Sequence, residues 1–464
     1  MDLTSRLRSI VRPNQPAALR RSELTYEPDT GRYEASIDLD RVADVLGGRL
    51  VTNGFGRALV IDRRYESDRF HGTRRVGECD VADGASLRLL DPGLPPLEGP
   101  GDRTLFVDLE TTGLSGGAGT VAFLVGCGWF DMGAFQVRQF LLTSYASERA
   151  LLDAVASCFD AASLLVTYNG KTFDVPVMET RWMFHRMRMP LESVRHFDML
   201  HPARRLWGYR GPHAGSSEEP EGTAPARRLR APGEDGGCRL STLERVLCDV
   251  TRVGDVPGME IPARYFRFLR TGDARPLEPV LEHNRLDLVS LAAVSAHAVQ
   301  LVEEGQARCR DAAEALALGK VYERAGSVAR ALECYERAAD EPAAPIDVAV
   351  EALYRQGIRL RRDRRYAEAA RSWRRILEVK PGRRRASALL GPLRQYAVEA
   401  LAIHHEHRER DYEGAKELTL RLLDESDEDR SADAGRYRLA RLEKKIAKRN
   451  ESLLSAETLF SASE

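Results

Sequence analysis

Closely spaced cysteines are absent from this sequence, and their absence argues against two kinds of site. The seven cysteines are scattered, and no two of them form a C-x-x-C pair. Neither a cysteine-based zinc site nor a disulfide framework is therefore indicated. The thiols are expected to be small buried residues in a reducing compartment.

Long apolar runs are also missing. The first residues, MDLTSRLRSIVRP, lack the apolar segment of a signal peptide. No run approaches the roughly 20 apolar residues that a membrane-spanning helix needs. We therefore expect a cytoplasmic protein without a membrane partner.

An excess of charge of one sign is the third absence. Lysine and arginine number 69, aspartate and glutamate number 70, and the formal net charge is −1. Any surface that attracts a polyanion must therefore be local. The length of 464 residues and the hydrophobic content of 43% are ordinary for a soluble protein of several domains.

The sequence does contain acidic residues at the ends of predicted strands. The stretch 104–114, TLFVDLETTGL, predicts a buried strand that ends in Asp108 and Glu110. Alternate side chains of a strand share a face, so the two carboxylates should point the same way. They repel each other unless a cation lies between them, which favours a metal site. One D-x-E triplet is weak evidence by itself.

Two later stretches add further acids. YNGKTFDVP places Asp174 after a predicted strand, and EHNRLDL places Asp287 on a predicted long helix, one turn after His283. Carboxylates and water suit Mg²⁺ or Mn²⁺, and two such ions suit phosphodiester hydrolysis. Imidazole titrates near neutral pH, so His283 is a candidate for orienting or deprotonating the attacking water.

The order of the predicted elements indicates an RNase H-like α/β fold. Three antiparallel strands come first, followed by a helix, a strand, a helix and a short strand near residues 196–199. We therefore expect a mixed sheet flanked by helices, followed by an all-α region.

Composition divides the chain further. Residues 1–88 form an N-terminal region of unknown role, and the Pro/Gly-rich residues 89–102 are a predicted linker. The α/β domain is expected over 103–303. Residues 208–237 within it are poor in apolar residues and are predicted to be a disordered insertion. Helical repeats and a terminal helix are expected over 312–450.

The helical region contains an internal repeat in which small and large residues recur 38 positions apart. The matched residues are Gly319, Tyr322, Ala331, Tyr335 and Ala338 with Gly357, Leu360, Ala369, Trp373 and Ile376. The pattern resembles tetratricopeptide repeats. Such an array binds a protein partner or braces the neighbouring domain, and the sequence leaves both open.

Three histidines of the same region are candidate metal ligands. His404, His405 and His407 are not accompanied by an acid or cysteine that we recognise at ligand spacing. We predict a solvated face there rather than a metal site.

The acidic motifs together resemble the DEDD superfamily of 3′–5′ exonucleases. DLETTG, N-x-x-x-F-D from Asn169 to Asp174, and the final H-x-x-x-D look like its three exonuclease motifs. Residues 103–303 as a whole resemble the YprB-type RNase H-like domain, including the segments FDMLHPARRLW, RVGDVPGMEIPARYF and LEHNRLDLVSL.

The resemblance implies a metal-dependent nuclease that acts on DNA or RNA from the 3′ end with two Mg²⁺ or Mn²⁺ ions. Asp108 would bridge both ions, and Glu110 and Asp287 would complete one site. Asp174 would hold the other ion through water.

Three residues near the acids are candidates for contact with the substrate. They are Thr111, Asn169 and Lys171. An ammonium group beside the acids suits a phosphate, although Lys171 is equally well explained as a surface lysine.

The chain departs from the superfamily at one residue. Superfamily members carry a His five residues before the last Asp or a Tyr four before it, whereas His283 stands four residues before Asp287. Its role as base, as water-orienting group or as neither is left open. The alternative function is a catalytically weak or inactive nucleic-acid-binding scaffold whose repeats recruit a protein partner.

Overall fold

The structure of the protein is a computed structural model. It describes residues 24–27, 32–35, 37–80, 84–97, 103–113, 119–191, 194–208, 238–379, 390–424 and 429–461. The predicted disordered insertion, apart from Gly208, lies outside these ranges.

The strands form one large sheet and two short hairpins. In chain order they are β1 Leu24–Glu27, β2 Arg32–Ala35, β3 Arg49–Asn53, β4 Gly56–Tyr65, β5 Phe70–His71, β6 Arg74–Arg75, β7 Thr104–Thr111, β8 Ala122–Asp131, β9 Ala134–Leu141, β10 Leu164–Thr167 and β11 Arg195–Asp198. The large sheet has the strand order β11-β10-β7-β8-β9-β4-β3.

The centre of this sheet is the predicted meander. β7, β8 and β9 pair antiparallel, whereas β10 and β11 run parallel to β7. Short runs of β-branched and aromatic residues form these strands because both faces are covered. The predicted RNase H-like mixed sheet flanked by helices is confirmed.

The sheet continues into the N-terminal region. β4 pairs antiparallel with β9, from Leu59 opposite Leu141 to Tyr65 opposite Phe135, and β3 pairs with β4. Part of the chain before residue 88 therefore belongs to the main sheet. The domain limits given above remain predictions.

Helices cover the sheet and form the C-terminal region as far as the structure describes it. They are α1 Leu39–Leu46, α2 Gly84–Leu90, α3 Glu148–Asp160, α4 Asp174–Phe184, α5 Leu200–Trp207, α6 Leu240–Cys248, α7 Ile261–Thr271, α8 Glu278–Glu304, α9 Ala312–Arg324, α10 Val328–Asp340, α11 Ile346–Arg362, α12 Tyr366–Glu378, α13 Leu390–His404, α14 Tyr412–Asp424 and α15 Asp429–Ser461. The all-α region that the sequence predicts is confirmed.

α8 is the central helix of the protein. Arg275–Arg308, which contains it, is long and apolar enough to cross a membrane, but 78% of its most apolar stretch is buried inside the protein. Core helices of soluble proteins share these properties, so the helix is weak evidence for a membrane span.

The sheet and the first helix pair of the C-terminal region share one hydrophobic core. Phe106 of β7, Leu291 of α8 and Tyr322 of α9 belong to the same buried cluster. A buried hydrogen bond also joins the two parts, because Trp207 Nε1 donates to Glu314 Oε1 at 2.8 Å. The repeats are therefore packed on the α/β domain through apolar residues.

Small residues face large ones between paired helices, as the repeat pattern predicts. A Cβ on Gly319 would lie 2.6 Å from Tyr335 Cε1, and one on Gly357 would lie 2.2 Å from Trp373 Nε1. Only glycine allows these rings so close to the neighbouring helix. The assignment to tetratricopeptide repeats remains a prediction.

Candidate active site

Asp108 and Glu110 lie near the end of β7 on the side of the sheet that α8 covers. They alternate with buried residues along the strand, as the period of two requires. The side chain of Asp108 contacts α8 directly, because Asn284 Nδ2 donates to Asp108 Oδ2 at 2.8 Å. The predicted common face of the two acids is therefore oriented toward α8.

Asp174 reaches the same end of the sheet from the neighbouring strand. β10 runs parallel to β7 with Val166 opposite Phe106, so the chain that leaves β10 emerges beside the end of β7. Asp174 begins α4 and is 7% exposed.

A buried carboxylate fixes the loop that carries Asp174. Asp198 accepts hydrogen bonds from the backbone N–H groups of Asn169 at 2.8 Å and Lys171 at 3.0 Å. It also accepts from the N–H of Leu200 at 3.1 Å, at the start of α5. Asp198 thus caps a helix and holds the loop at once.

His283 and Asp287 lie one turn apart on α8, and both face the end of β7. His283 Nε2 is 3.5 Å from Asp287 Oδ2 and 4.0 Å from Glu110 Oε1. The four-residue spacing therefore still brings the imidazole to the acids.

Burial, with repulsion from neighbouring acids, raises the pKa values of Asp108, Glu110 and Asp174. Burial, followed by the charges of Asp287, Glu110 and Asp174, holds the pKa of Asp108 well above its ordinary value. Burial, with Asp287 and Asp174, raises the pKa of Glu110 to about 8. Burial raises the pKa of Asp174 to about 7, and the charge of Asp198 adds to this. These carboxylates are thus costly to ionise together without a cation.

The amide of Asn284, which the sequence analysis missed, connects Asp108 to the middle of the sheet. Asn284 is fully buried and its Oδ1 accepts from Gln139 Nε2 at 2.7 Å. A Cβ on Gly126, which lies opposite Asp108 in the sheet, would approach Asn284 Oδ1 to 2.3 Å. An asparagine on a helix carries no sequence signal of its own, and its partners are more than 140 residues away.

Arg252 is a second residue that the sequence analysis missed. It is 7% exposed, and its Nη2 donates to Asp287 Oδ1 at 2.5 Å. Glu244 binds the same guanidinium through both oxygens, at 2.6 and 2.8 Å. Ser290 donates to Glu244 and contacts His71, so this network extends into the N-terminal region.

Asp255 is the third residue that the sequence analysis missed. Its Oδ1 lies 2.6 Å from His283 Nδ1, and its Oδ2 lies 3.3 Å from Arg252 Nη1. Burial acts to raise the pKa of Asp255, but the hydrogen bond and charge of His283, with Arg252, hold it below its ordinary value. Both Arg252 and Asp255 belong to the RVGDVPG segment, where an R-x-x-D pair before a proline was the available signal.

The three candidate substrate contacts lie at the edge of the site and are engaged in local hydrogen bonds. Thr111 is buried and its hydroxyl donates to Gly113 O at 2.8 Å. Asn169 has a left-handed backbone with φ of 71°. Lys171 Nζ lies 3.3 Å from a carboxylate oxygen of Asp91. Their contact with a substrate remains a prediction.

Comparison with known proteins agrees with this architecture. Residues 105–299 match the family model of the RNase_H superfamily. The fold of these residues is therefore RNase H-like, which is a nuclease-type fold.

A relative extends the similarity beyond this domain. Over 354 residues the chain is 29% identical to the protein named "Uncharacterized protein YprB" of Bacillus subtilis (strain 168), covering 75% of this chain and 76% of that one. The resemblance to the YprB-type RNase H-like domain is confirmed, and the exonuclease class remains a prediction.

Proposed function

We propose that this protein is a metal-dependent nuclease that hydrolyses phosphodiester bonds of DNA or RNA, as a 3′–5′ exonuclease. The observation that carries the proposal is the group of carboxylates at the end of β7, where burial raises the pKa values of Asp108, Glu110 and Asp174 and the charges of neighbouring acids add to this. Among the described residues, no lysine or arginine forms an ion pair with Asp108, Glu110 or Asp174. Such acids favour the binding of a cation.

The donor chemistry fits Mg²⁺ or Mn²⁺. Asp108, Glu110, Asp174 and Asp287 would hold the ions and offer only oxygen ligands, which these ions prefer. Among the described residues, no three of these four carboxylates place their ligand atoms within 4.8 Å of one another. Two divalent ions, when bound, would neutralise charge on the phosphate and hold the attacking water and the leaving oxygen.

The hydrogen bond between His283 and Asp255 suggests how the imidazole would act. An ionised carboxylate only accepts hydrogen bonds, so Nδ1 carries a proton, and in the neutral imidazole the lone pair is then on Nε2. Nε2 faces Glu110 and Asp287, where it would orient a water molecule or accept its proton. Asp255 would keep the ring in this tautomer.

One observation favours the second candidate function, a scaffold that binds nucleic acid without cutting it. Arg252 already neutralises Asp287, and a carboxylate that is paired with a cation is a weaker metal ligand. In this case the hydrophobic core that the α/β domain shares with the repeats would position a recruited protein partner.

The test is release of label from 3′- and 5′-labelled single-stranded DNA and RNA in Mg²⁺ or Mn²⁺. Wild type should trim 3′ ends, and Asp108→Asn should lower the rate by about a thousandfold or more. Asp131→Asn, at the exposed last residue of β8, is the matched control and should retain activity. If wild type binds the strands and cuts neither polymer, the scaffold function replaces the nuclease.

A further inference from the structure

The turn between α13 and α14 contains a cluster for which the sequence predicts a solvated face. His405–Glu409 forms one π-helical turn, and Asp411 follows it. The ligand atoms of His405, Glu409 and Asp411 all lie within 4.8 Å of one another. The premise that no acid lies at ligand spacing is wrong, because Glu409 and Asp411 follow His405 by four and six residues.

Two carboxylate oxygens converge on one ring nitrogen. His405 Nδ1 lies 3.1 Å from Glu409 Oε2 and 2.9 Å from Asp411 Oδ2. A ring nitrogen carries at most one proton, so it cannot donate a full hydrogen bond to both oxygens. A metal ion of octahedral geometry with ligand bonds of about 2.1 Å places neighbouring ligand atoms about 3.0 Å apart, which fits the two distances from Nδ1, and the two carboxylate oxygens lie within 4.8 Å of each other.

Each carboxylate is held by its other oxygen. Asp411 Oδ1 accepts from the N–H of Gly414 at 3.0 Å. Glu409 Oε1 lies 2.9 Å from Arg374 Nη2 and 3.2 Å from His404 Nε2. The oxygens directed at His405 are therefore oriented by neighbouring groups, although the pair with Arg374 makes Glu409 a weaker metal ligand than Asp411.

Gly414 leaves the space that this arrangement needs. A Cβ at this position would lie 2.2 Å from Asp411 Oδ2 and 3.2 Å from His405 Nδ1. Any larger residue would displace Asp411 Oδ2 and press against His405 Nδ1. This steric requirement is independent of the hydrogen bonds within the cluster.

We propose that His405, Glu409 and Asp411 form a binding site for a divalent transition-metal ion of the zinc or manganese class. One imidazole and two carboxylates suit such an ion, and water would complete its coordination. The ion would tie the end of α13 to the start of α14. Through Arg374 it would also connect this turn to α12. The site is separate from the carboxylates at the end of β7.

The experiment measures zinc bound to the full-length, chelator-stripped protein after gel filtration in a zinc buffer. His405→Gln and Asp411→Asn should each bind one zinc ion fewer than wild type. Asn at position 411 can still accept from the N–H of Gly414, so α14 keeps its cap. His407→Gln is the matched control, since His407 lies on the same turn but is 53% exposed and contacts Glu406 instead.

Thermal unfolding supplies a second readout. Zinc should raise the Tm of wild type and His407→Gln more than that of His405→Gln and Asp411→Asn, whereas the metal-free Tm of Asp411→Asn should remain close to that of wild type. If all four proteins bind the same number of zinc ions, the cluster is only an ion-pair network that ends a helix, and the proposal is overturned.

Discussion

The guanidinium of Arg252 binds Asp287, with Nη2 2.5 Å from Oδ1, and thereby fixes one of the candidate metal ligands to the protein interior. Burial alone acts to lower the pKa of Arg252, but Glu244 and Asp287 raise it, so the guanidinium remains charged. The pair with Glu244 is buried, whereas Asp287 is open to the site.

Replacement of Arg252 by Met should destabilise the fold. Glu244, 1% exposed, would lose both hydrogen bonds to the guanidinium and remain buried as an unpaired charge. We expect a loss of about 3 kcal/mol in the free energy of unfolding, measured by urea denaturation. Arg264→Met removes a surface ion pair with Glu260 and should have little effect. Equal urea midpoints for Arg252→Met and wild type would contradict the structural role.

Two glycines of β8 allow a matched test of the contact between Asn284 and Asp108. Gly126→Ala would force Asn284 away, because the new Cβ would lie 2.3 Å from its Oδ1. Gly128→Ala would instead press on Phe135 at 2.4 Å, away from the acids. Each should cost about 1–3 kcal/mol of stability.

Of these two variants, only Gly126→Ala should affect the candidate active site. Displacement of Asn284 frees Asp108 Oδ2, so Gly126→Ala should also weaken Mn²⁺ binding and lower nuclease activity about tenfold or more. Calorimetric titration with Mn²⁺ and the end-label assay measure these effects. Similar losses of activity in both variants, at similar stability, would mean that Asn284 does not position Asp108.

The acids themselves were predictable from the sequence, whereas the residues that hold them were not. A D-x-E triplet at the end of a strand, Asp174 after a loop and Asp287 on a helix each have a local pattern. Asn284, Glu244 and Arg252 act through contacts between distant segments, and such contacts depend on how β8, α6 and α8 pack. For the same reason the sequence did not predict that the hairpin β3–β4 joins the main sheet, because the pairing of β4 with β9 leaves no local signal.

The raised pKa values of the acids predict how stability depends on pH. The folded-state pKa of Glu110 is about 8 and that of Asp174 about 7, against about 4 in the unfolded chain. Between these values the folded state binds more protons than the unfolded state. The free energy of unfolding in EDTA should therefore fall as the pH rises from about 4 to about 8.

Divalent ions should reverse this dependence, since they bind deprotonated carboxylates. The increase in Tm caused by Mg²⁺ should be larger at pH 8 than at pH 5. The double variant Glu110→Gln, Asp174→Asn mimics the neutral acids and should show a flatter pH profile and a smaller Mg²⁺ effect. A Tm of wild type in EDTA that does not decline over this range would contradict the proposed electrostatics.

The same substitution should have unequal effects at two glycines of the helical region. Gly357→Ala would place a Cβ 2.2 Å from Trp373 Nε1 and should cost about 1–3 kcal/mol. Gly391 lies at the start of α13, directly before a proline, where an added Cβ would meet no atom of the described residues within 4 Å, so Gly391→Ala should change the free energy of unfolding by less than about 1 kcal/mol. Urea denaturation measures both. Equal effects of both substitutions would mean that the close packing of α11 on α12 is not required.

Asp255 should act on catalysis through His283. Asp255→Asn removes the ionised acceptor at 2.6 Å from Nδ1, so the imidazole is no longer held in the tautomer that leaves Nε2 free. We expect kcat to fall about tenfold to a hundredfold, with a smaller change in KM. In the background of His283→Gln the same substitution should have little further effect, because residues that act as a unit are not additive. Independent, multiplicative losses in the double variant would place Asp255 in a separate role, through its contact with Arg252.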